Sequence, residues 1–331
     1  MKLRTVIIVL LLILLILVFL ILAECQTSQT TKTVNCDDGD SLSEFVAESR
    51  SGTRIIVNGT CRENKAVVVT RDAIIIDGKG TAVIDGKGNN RPVLTIKGAK
   101  GVVINGLTVK NGKLGITSGL GAKTVLKDVI VTENTRNGIV VSKTGKLPGK
   151  GEPNPDIKQQ KPAGESAPLS FNLSPIGEAV ADDFSYPCSC VDKLLNDGGD
   201  SGTCTAALED NTMVVCGAVS SVGNGWVGMY VLSSDLITEG RLTLADNGYY
   251  AGLYVGNEST ITVTGNGAIS AEGNTGSGVH VYESTMFVSG ALETSNNSGL
   301  ELFIEEADAY CRKPAGDIRL ISSDENRNHC E

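Results

Sequence analysis

Histidine and tryptophan are nearly missing from this 331-residue chain, which has two of the first and one of the second. Two histidines exclude a multi-histidine zinc enzyme, and no cysteine–histidine spacing restores one. Aromatic residues make up only 4%, so a core has to be assembled from Val, Ile, Leu and Ala. Helical periodicity is also missing between the apolar segments, which excludes a βαβ sheet. What the chain has in quantity is glycine, 39 residues, and a 41% hydrophobic content. That is enough for one large domain or two ordinary ones, and too much for wholesale disorder.

Long apolar runs are confined to residues 6–23, eighteen uncharged apolar residues behind Lys2 and Arg4. As a helix this run would measure about 27 Å, close to a bilayer core. Small residues at Ala23 and Cys25 also suit cleavage, so residues 1–25 read as a signal peptide or as a retained membrane tether. Either way the body is expected outside the cytoplasm, secreted or anchored. Removal of Cys25 leaves Cys36, Cys61, Cys188, Cys190, Cys204, Cys216, Cys311 and Cys330, an even set that reads as up to four disulfides. Cys36 with Cys61 is the first pair expected, and Cys311 with Cys330 is expected to close the last turn. Sequons at Asn58, Asn172, Asn257 and Asn296 suit an exported glycoprotein.

Charge is split along the chain. Residues 61–161 carry 18 Lys and Arg against 8 Asp and Glu, whereas residues 162–331 carry 6 against 24. A basic half can attract a polyanion that the acidic half repels.

The organising feature is a phrase in which an Asn and a few polar residues precede Gly and alternating apolar residues. It occurs at Asn111…Gly115, Asn134…Gly138, Asn224…Gly228, Asn247…Gly252, Asn274…Gly278 and Asn296…Gly299, with glycine spacings of 23, 90, 24, 26 and 21. Short β-branched runs such as Val67–Val69, Ile74-Ile75-Ile76, Val102-Val103-Ile104 and Thr260–Val263 lie between these glycines. About three strands per 23-residue turn predict an all-β parallel β-helix, with Asn stacked on Asn at one corner and Gly at the tight backbone positions.

The expected layout is N-terminal turns over 26–142, an insertion over 143–220, C-terminal turns over 221–304 and a cap or tail over 305–331. Ser41 and Glu44 form a capping box for a short helix that would cover the first turn. Six of the nine prolines fall between Pro148 and Pro175, in an arm that leads to Cys188, Cys190, Cys204 and Cys216. Those cysteines suit two disulfides better than a metal site.

Val34-Asn35-Cys36-Asp37-Asp38-Gly39, the run Ile55 to Cys61, Glu63-Asn64 and the Ile-Asp-Gly turns resemble the start of right-handed β-helix proteins of the pectin-lyase-like superfamily. The resemblance covers 34–142 and 222–304. It implies a right-handed single-stranded coil, and a family of polysaccharide lyases, hydrolases, epimerases, esterases and noncatalytic adhesins. The hydrolase Gly-His-Gly and Arg-Ile-Lys motifs and the epimerase Asp-Pro-His are missing here.

Three candidate surfaces follow. Strand alternation stacks Val140, Tyr230, Tyr254, His280 and Glu301 on the outer face, about 4.8 Å apart, with Tyr282 and Phe303 two residues on. Such a strip of rings suits pyranose faces. The basic half offers Lys79, Lys87, Arg91, Lys97 and Lys110 to an acidic glycan, although turn positions also account for them. The copies Asp77-Gly78-Lys79-Gly80 and Asp85-Gly86-Lys87-Gly88 fit turns better than an acid/base pair. Asn196-Asp197-Gly198-Gly199-Asp200 could hold Ca²⁺ but lacks a full loop pattern; no other cofactor or metal is expected. The expected function is noncatalytic glycan binding or a cell-surface structural role. The alternatives are a polysaccharide lyase, hydrolase or epimerase, and an adhesin that binds a protein through the insertion. Nucleic acid is not an expected partner.

Overall fold

The computed structural model describes residues 29–145, 187–199, 201–305, 307–311 and 327–330. The expectations for the leader, the proline-rich arm, Asn172 and Asp200 lie outside the described residues. Within them the chain is an all-β parallel solenoid of about ten turns.

Three strands per turn generate three faces. The first begins with Thr30–Asn35 and Thr53–Asn58 and runs through Lys123–Lys127, Thr212–Cys216 and Thr285–Val288 to Asp308–Cys311 and Arg327–Cys330. The second runs from Thr60–Arg62 through Ile130–Thr132, Ala218–Val222, Arg241–Ala245 and Ala268–Glu272 to Ala291–Ser295. The third runs from Val67–Val69 through Ile139–Ser142, Val227–Leu232, Ala251–Gly256 and Ser277–Tyr282 to Leu302–Glu305. Inward residues alternate with outward ones along every strand. Ile55, Ile76, Ile84, Leu94, Ile104, Val131, Leu244 and Val281 therefore form one continuous core with no exposure. Each such side chain contributes about 1.5–3 kcal/mol by leaving water.

The corners are fixed by polar side chains. Buried Asn134, Asn224, Asn247 and Asn274 and half-buried Asn297 form a ladder, each of the first four donating Nδ2 to the Oδ1 of the next at 2.8–3.0 Å. Sequence spacing put Asn296 in that ladder. Asn297 occupies the position instead, and Asn296 is exposed with its amide on Glu272. Asn111 also stands apart, donating to Asp85. At the two Asp-Gly-Lys-Gly turns, Asp77 and Asp85 accept from the backbone N–H of Lys79 and Lys87 at 3.1 and 2.8 Å. These Asx turns hold both lysines at φ near +50°.

Helix α1, Leu42–Glu48, lies across the first turn as expected, with Leu42 and Val46 buried. Ser41 Oγ accepts from Glu44 N–H, which is half of the capping box. The other carboxylate on this corner is Glu63, not Glu44: it accepts from Ser43 N–H and Ser41 Oγ, while Glu44 reaches out to Lys65. Cys36 and Cys61 are bridged beside this cap.

The coil resumes at Thr212, earlier than the expected residue 221, because Thr212–Cys216 pairs with both Lys123–Lys127 and Asp235–Thr238. Register passes across the insertion unbroken, Val140 against Tyr230. Before Thr212 come two helices, α2 at Pro187–Asp197 and α3 at Ser201–Cys204. They rest on the first face, where outward Ile75, Val103, Val125 and Val214 meet Val191, Leu194 and Leu208. Cys188–Cys216 ties α2 to the coil and Cys190–Cys204 ties the helices together.

Candidate functional site

The third face carries the expected ring file. Register stacks Val140, Tyr230, Tyr254 and His280 on successive turns. The Tyr230 and Tyr254 rings lie parallel at 4.8 Å, and His280 meets Tyr254 edge-on at 5.1 Å. The fifth position belongs to Phe303, 4.5 Å from His280, and not to Glu301. Glu301 stands four residues after Asn297, so it takes the strand-glycine position and its carbonyl sits opposite Gly278, and the Glu301 carboxylate accepts from the Asn297 amide. Tyr282 is in register with Glu305 and donates its hydroxyl to Glu283.

The file is not an open strip. Tyr230, Tyr254 and His280 are 3%, 2% and 3% exposed. Leu114, Val140 and Val227 pack around them, joined by Trp226, Leu232, Tyr250 and Tyr282. The cause lies in one corner. Asn134, Asn224 and Asn274 are each followed four residues later by the strand glycine, but Asn247 is followed by Gly252. The additional residue lets Tyr250 turn back over the file, 5.5 Å from Tyr254 and 5.6 Å from His280.

Burial decides the chemistry of this cluster. It pushes the hydroxyls of Tyr250 and Tyr254 well above the ordinary tyrosine range. It also holds His280 below its usual value, although Glu305, 3.6 Å from Nε2, pulls the other way. Nε2 makes no hydrogen bond among the described residues. A neutral imidazole enclosed by rings is a packing element, since it lacks the solvent contact and the aligned partner that proton transfer needs.

The same corner turns Tyr249 outward. Tyr249 is 72% exposed, the largest exposed hydrophobic side chain among those described. Its ring stacks on Trp226 at 6.1 Å and 19°, and the Arg136 guanidinium covers the other side of Trp226 at 4.2 Å. These residues stand two after the ladder residues Asn134, Asn224 and Asn247. The next rungs hold Gly276 and Gly299 there. A Cβ on Gly276 would strike the Tyr250 carbonyl, so packing itself keeps that position bare. Among the described residues no side chain stacks on the other face of the terminal ring, which stands above a glycine shelf flanked by exposed Thr275 and Ser298. Arg136, Trp226 and Tyr249 are absent from the candidates read from the strands. The signal was present at the Asn-plus-two position, in corners that strand alternation does not sample.

The basic candidates are not brought into one file. Lys79 pairs with buried Asp77 at 2.9 Å and Lys110 with Glu133 at 3.6 Å, while Lys87 donates to Asn64. Lys97 is opposite Gly119 on the third face, whereas Lys110 is opposite Asp85 on the second. Arg91 lies exposed between the second and third faces. Asp77 is fully buried. Burial alone would raise its pKa, but hydrogen bonds from Arg54, Lys79 and Asn105 outweigh this and hold it below the usual value. It is a structural anchor. The expected cysteine pairs 36–61 and the insertion's two bridges are formed, and backbone register opposes Cys311 to Cys330. No group of three or more ligating side chains occurs among the described residues, in the 196–199 segment or elsewhere, and no helix of theirs is long and apolar enough to cross a membrane. Comparison with protein-family models, with curated proteins and with solved structures yields no match for this chain.

Proposed function

We propose that the protein is an exported, noncatalytic solenoid of the pectin-lyase-like kind that binds glycan at the Tyr249 corner. The observation that carries this reading is a single exposed ring, backed by Trp226 and Arg136 and facing a shelf that glycine keeps empty. An aromatic face held rigid by a stacked partner loses little entropy when a pyranose settles on it. Thr275 and Ser298 offer hydroxyls at the rim. Three disulfides suit an oxidising compartment. The acidic character of the turns around the shelf favours neutral over anionic saccharides.

The test is a glycan array probed with the wild type and with Tyr249→Ala, an exposed substitution that leaves the core untouched. Loss of at least about tenfold in affinity, near 1.4 kcal/mol, is expected for a neutral oligosaccharide. Equal binding by both proteins, or no binding by the wild type, removes the reading.

A further inference from the structure

The first face is covered by α2 and α3 and the third by its ring cluster, but no described helix or hydrophobic cluster packs on the outside of the second. Along its middle column the outward side chains are mostly short, among them Thr108, Ser220, Thr243 and Ser270, with Ile130 47% exposed, while longer charged side chains such as Lys110, Arg241 and Glu272 stand at the strand ends. An open β face with an apolar centre invites a partner.

Charge identifies the partner. From Arg62 to Lys143 the coil carries 14 Lys and Arg against 6 Asp and Glu, whereas from Thr212 to Glu305 Arg241 stands alone against 9 carboxylates. The solenoid is therefore a rod with a positive and a negative half, and each half is the complement of the other. A polyanion would engage one half and be repelled by the second, but another copy running antiparallel satisfies both.

We propose that the second face is a homodimer interface, related by a twofold axis along the strand Ala218–Val222. Strand registers define the consequence. Counting turns away from that axis, Lys110 is as far on one side as Glu272 on the other, and Asp128 is as far as Arg241. The twofold sets Lys110 of each copy against Glu272 of the second and Asp128 against Arg241, so four opposite-charge contacts form. Ile130 meets Thr243, and Ser220 meets its own equivalent. Asp128, Arg241 and Glu272 are exposed and the Lys110 side chain keeps 31% of its surface; within one chain they touch Lys127, Glu293, Asn296 and Glu133 respectively, solvent-facing contacts that the dimer contacts would share or replace. The twofold overlaps seven rungs, three on either side of its own strand, and at about 4.8 Å a rung by a strand of about 13 Å they give on the order of 440 Å² a side, at the small end of specific interfaces. Association is consequently weak and salt dependent.

Sedimentation velocity of the full-length protein in detergent tests this. A dimer is expected at low salt and a monomer at about 0.5 M salt, where the screening length falls below about 5 Å. Lys110→Glu and Glu272→Lys should each be monomeric at low salt, and an equimolar mixture of the two should recover a heterodimer. Recovery cannot come from a misfolded variant, so it supports the face and its antiparallel sense together. A monomeric wild type at low salt overturns the proposal. So does association that ignores both salt and the two substitutions, which is how contact through the apolar N-terminal segment would behave.

Discussion

At the scale of single residues, the corners are more exacting than the strands. Asn247 donates to Asn274 and to the Ser221 carbonyl while accepting from both the backbone and side chain of Asn224. Removing its amide leaves buried groups on both adjoining turns unpaired, at about 1–3 kcal/mol each. Asn247→Ala is expected to lose about 3 kcal/mol in chemical denaturation, while Asn296→Ala on the exposed position stays within about 0.5 kcal/mol. Equal losses would mean that the ladder is not what holds this corner. Glu239 gives a second residue-level expectation. Burial raises its carboxyl to about 7, opposed only by a hydrogen bond from the Cys188 N–H. A folded value above the ordinary 4.5 means that the folded state binds the extra proton. The contribution is thus fully present below 4.5 and lost as pH rises through 7. Glu239→Gln, which keeps an accepting oxygen but no charge, should stabilise the protein at pH 8 by on the order of 1–2 kcal/mol and have almost no effect at about pH 3.5, below the unfolded value. Denaturation midpoints at the two pH values check both halves of that statement.

At the scale of elements, the insertion is a lid on the first face and not a free arm where it is described. Outward Ile75, Val103, Val125 and Val214 would be costly on a bare solenoid, and α2 with its two bridges repairs this. Leu194 is 4% exposed in that seam. Leu194→Ala should cost about 2–4 kcal/mol locally, read as faster proteolysis between 187 and 204 with the coil's far-ultraviolet signal unchanged. Simultaneous collapse of both signals would show the helices to be part of the coil's own core. The coil elements were legible in the sequence because inward Val and Ile alternate with polar residues and turns repeat near 23 residues. The Tyr250 overhang was not. A single additional residue before Gly252 is invisible to alternation, yet it turns an expected open strip of Tyr230, Tyr254 and His280 into a buried cluster. The shift from Glu301 to Phe303 has another origin: two adjacent asparagines precede this turn, and with Asn297 rather than Asn296 in the ladder Gly299 falls at the corner and Glu301 at the strand-glycine position. The resumption at Thr212 was hidden by cysteines that read as part of the insertion, although Cys216 ends a strand.

At the scale of the molecule, each turn rests only on its neighbours, so stability adds up along the axis rather than closing around a centre. The segregation of charge was visible in the sequence as two halves, but only the coil converts two halves into two ends of one rod. Without that geometry the same composition describes any pair of oppositely charged domains.

The Cys36–Cys61 bridge acquires a meaning in this setting that it would lack in a globular domain. A spring drawn out by its ends fails one coil at a time, each releasing about 23 residues, or roughly 80 Å of slack. The cystine clamps the first loop, so tension applied from the amino end bypasses it and falls on the next unclamped winding. Whatever holds this molecule by that end can therefore haul on it without fraying the tip that α1 seals.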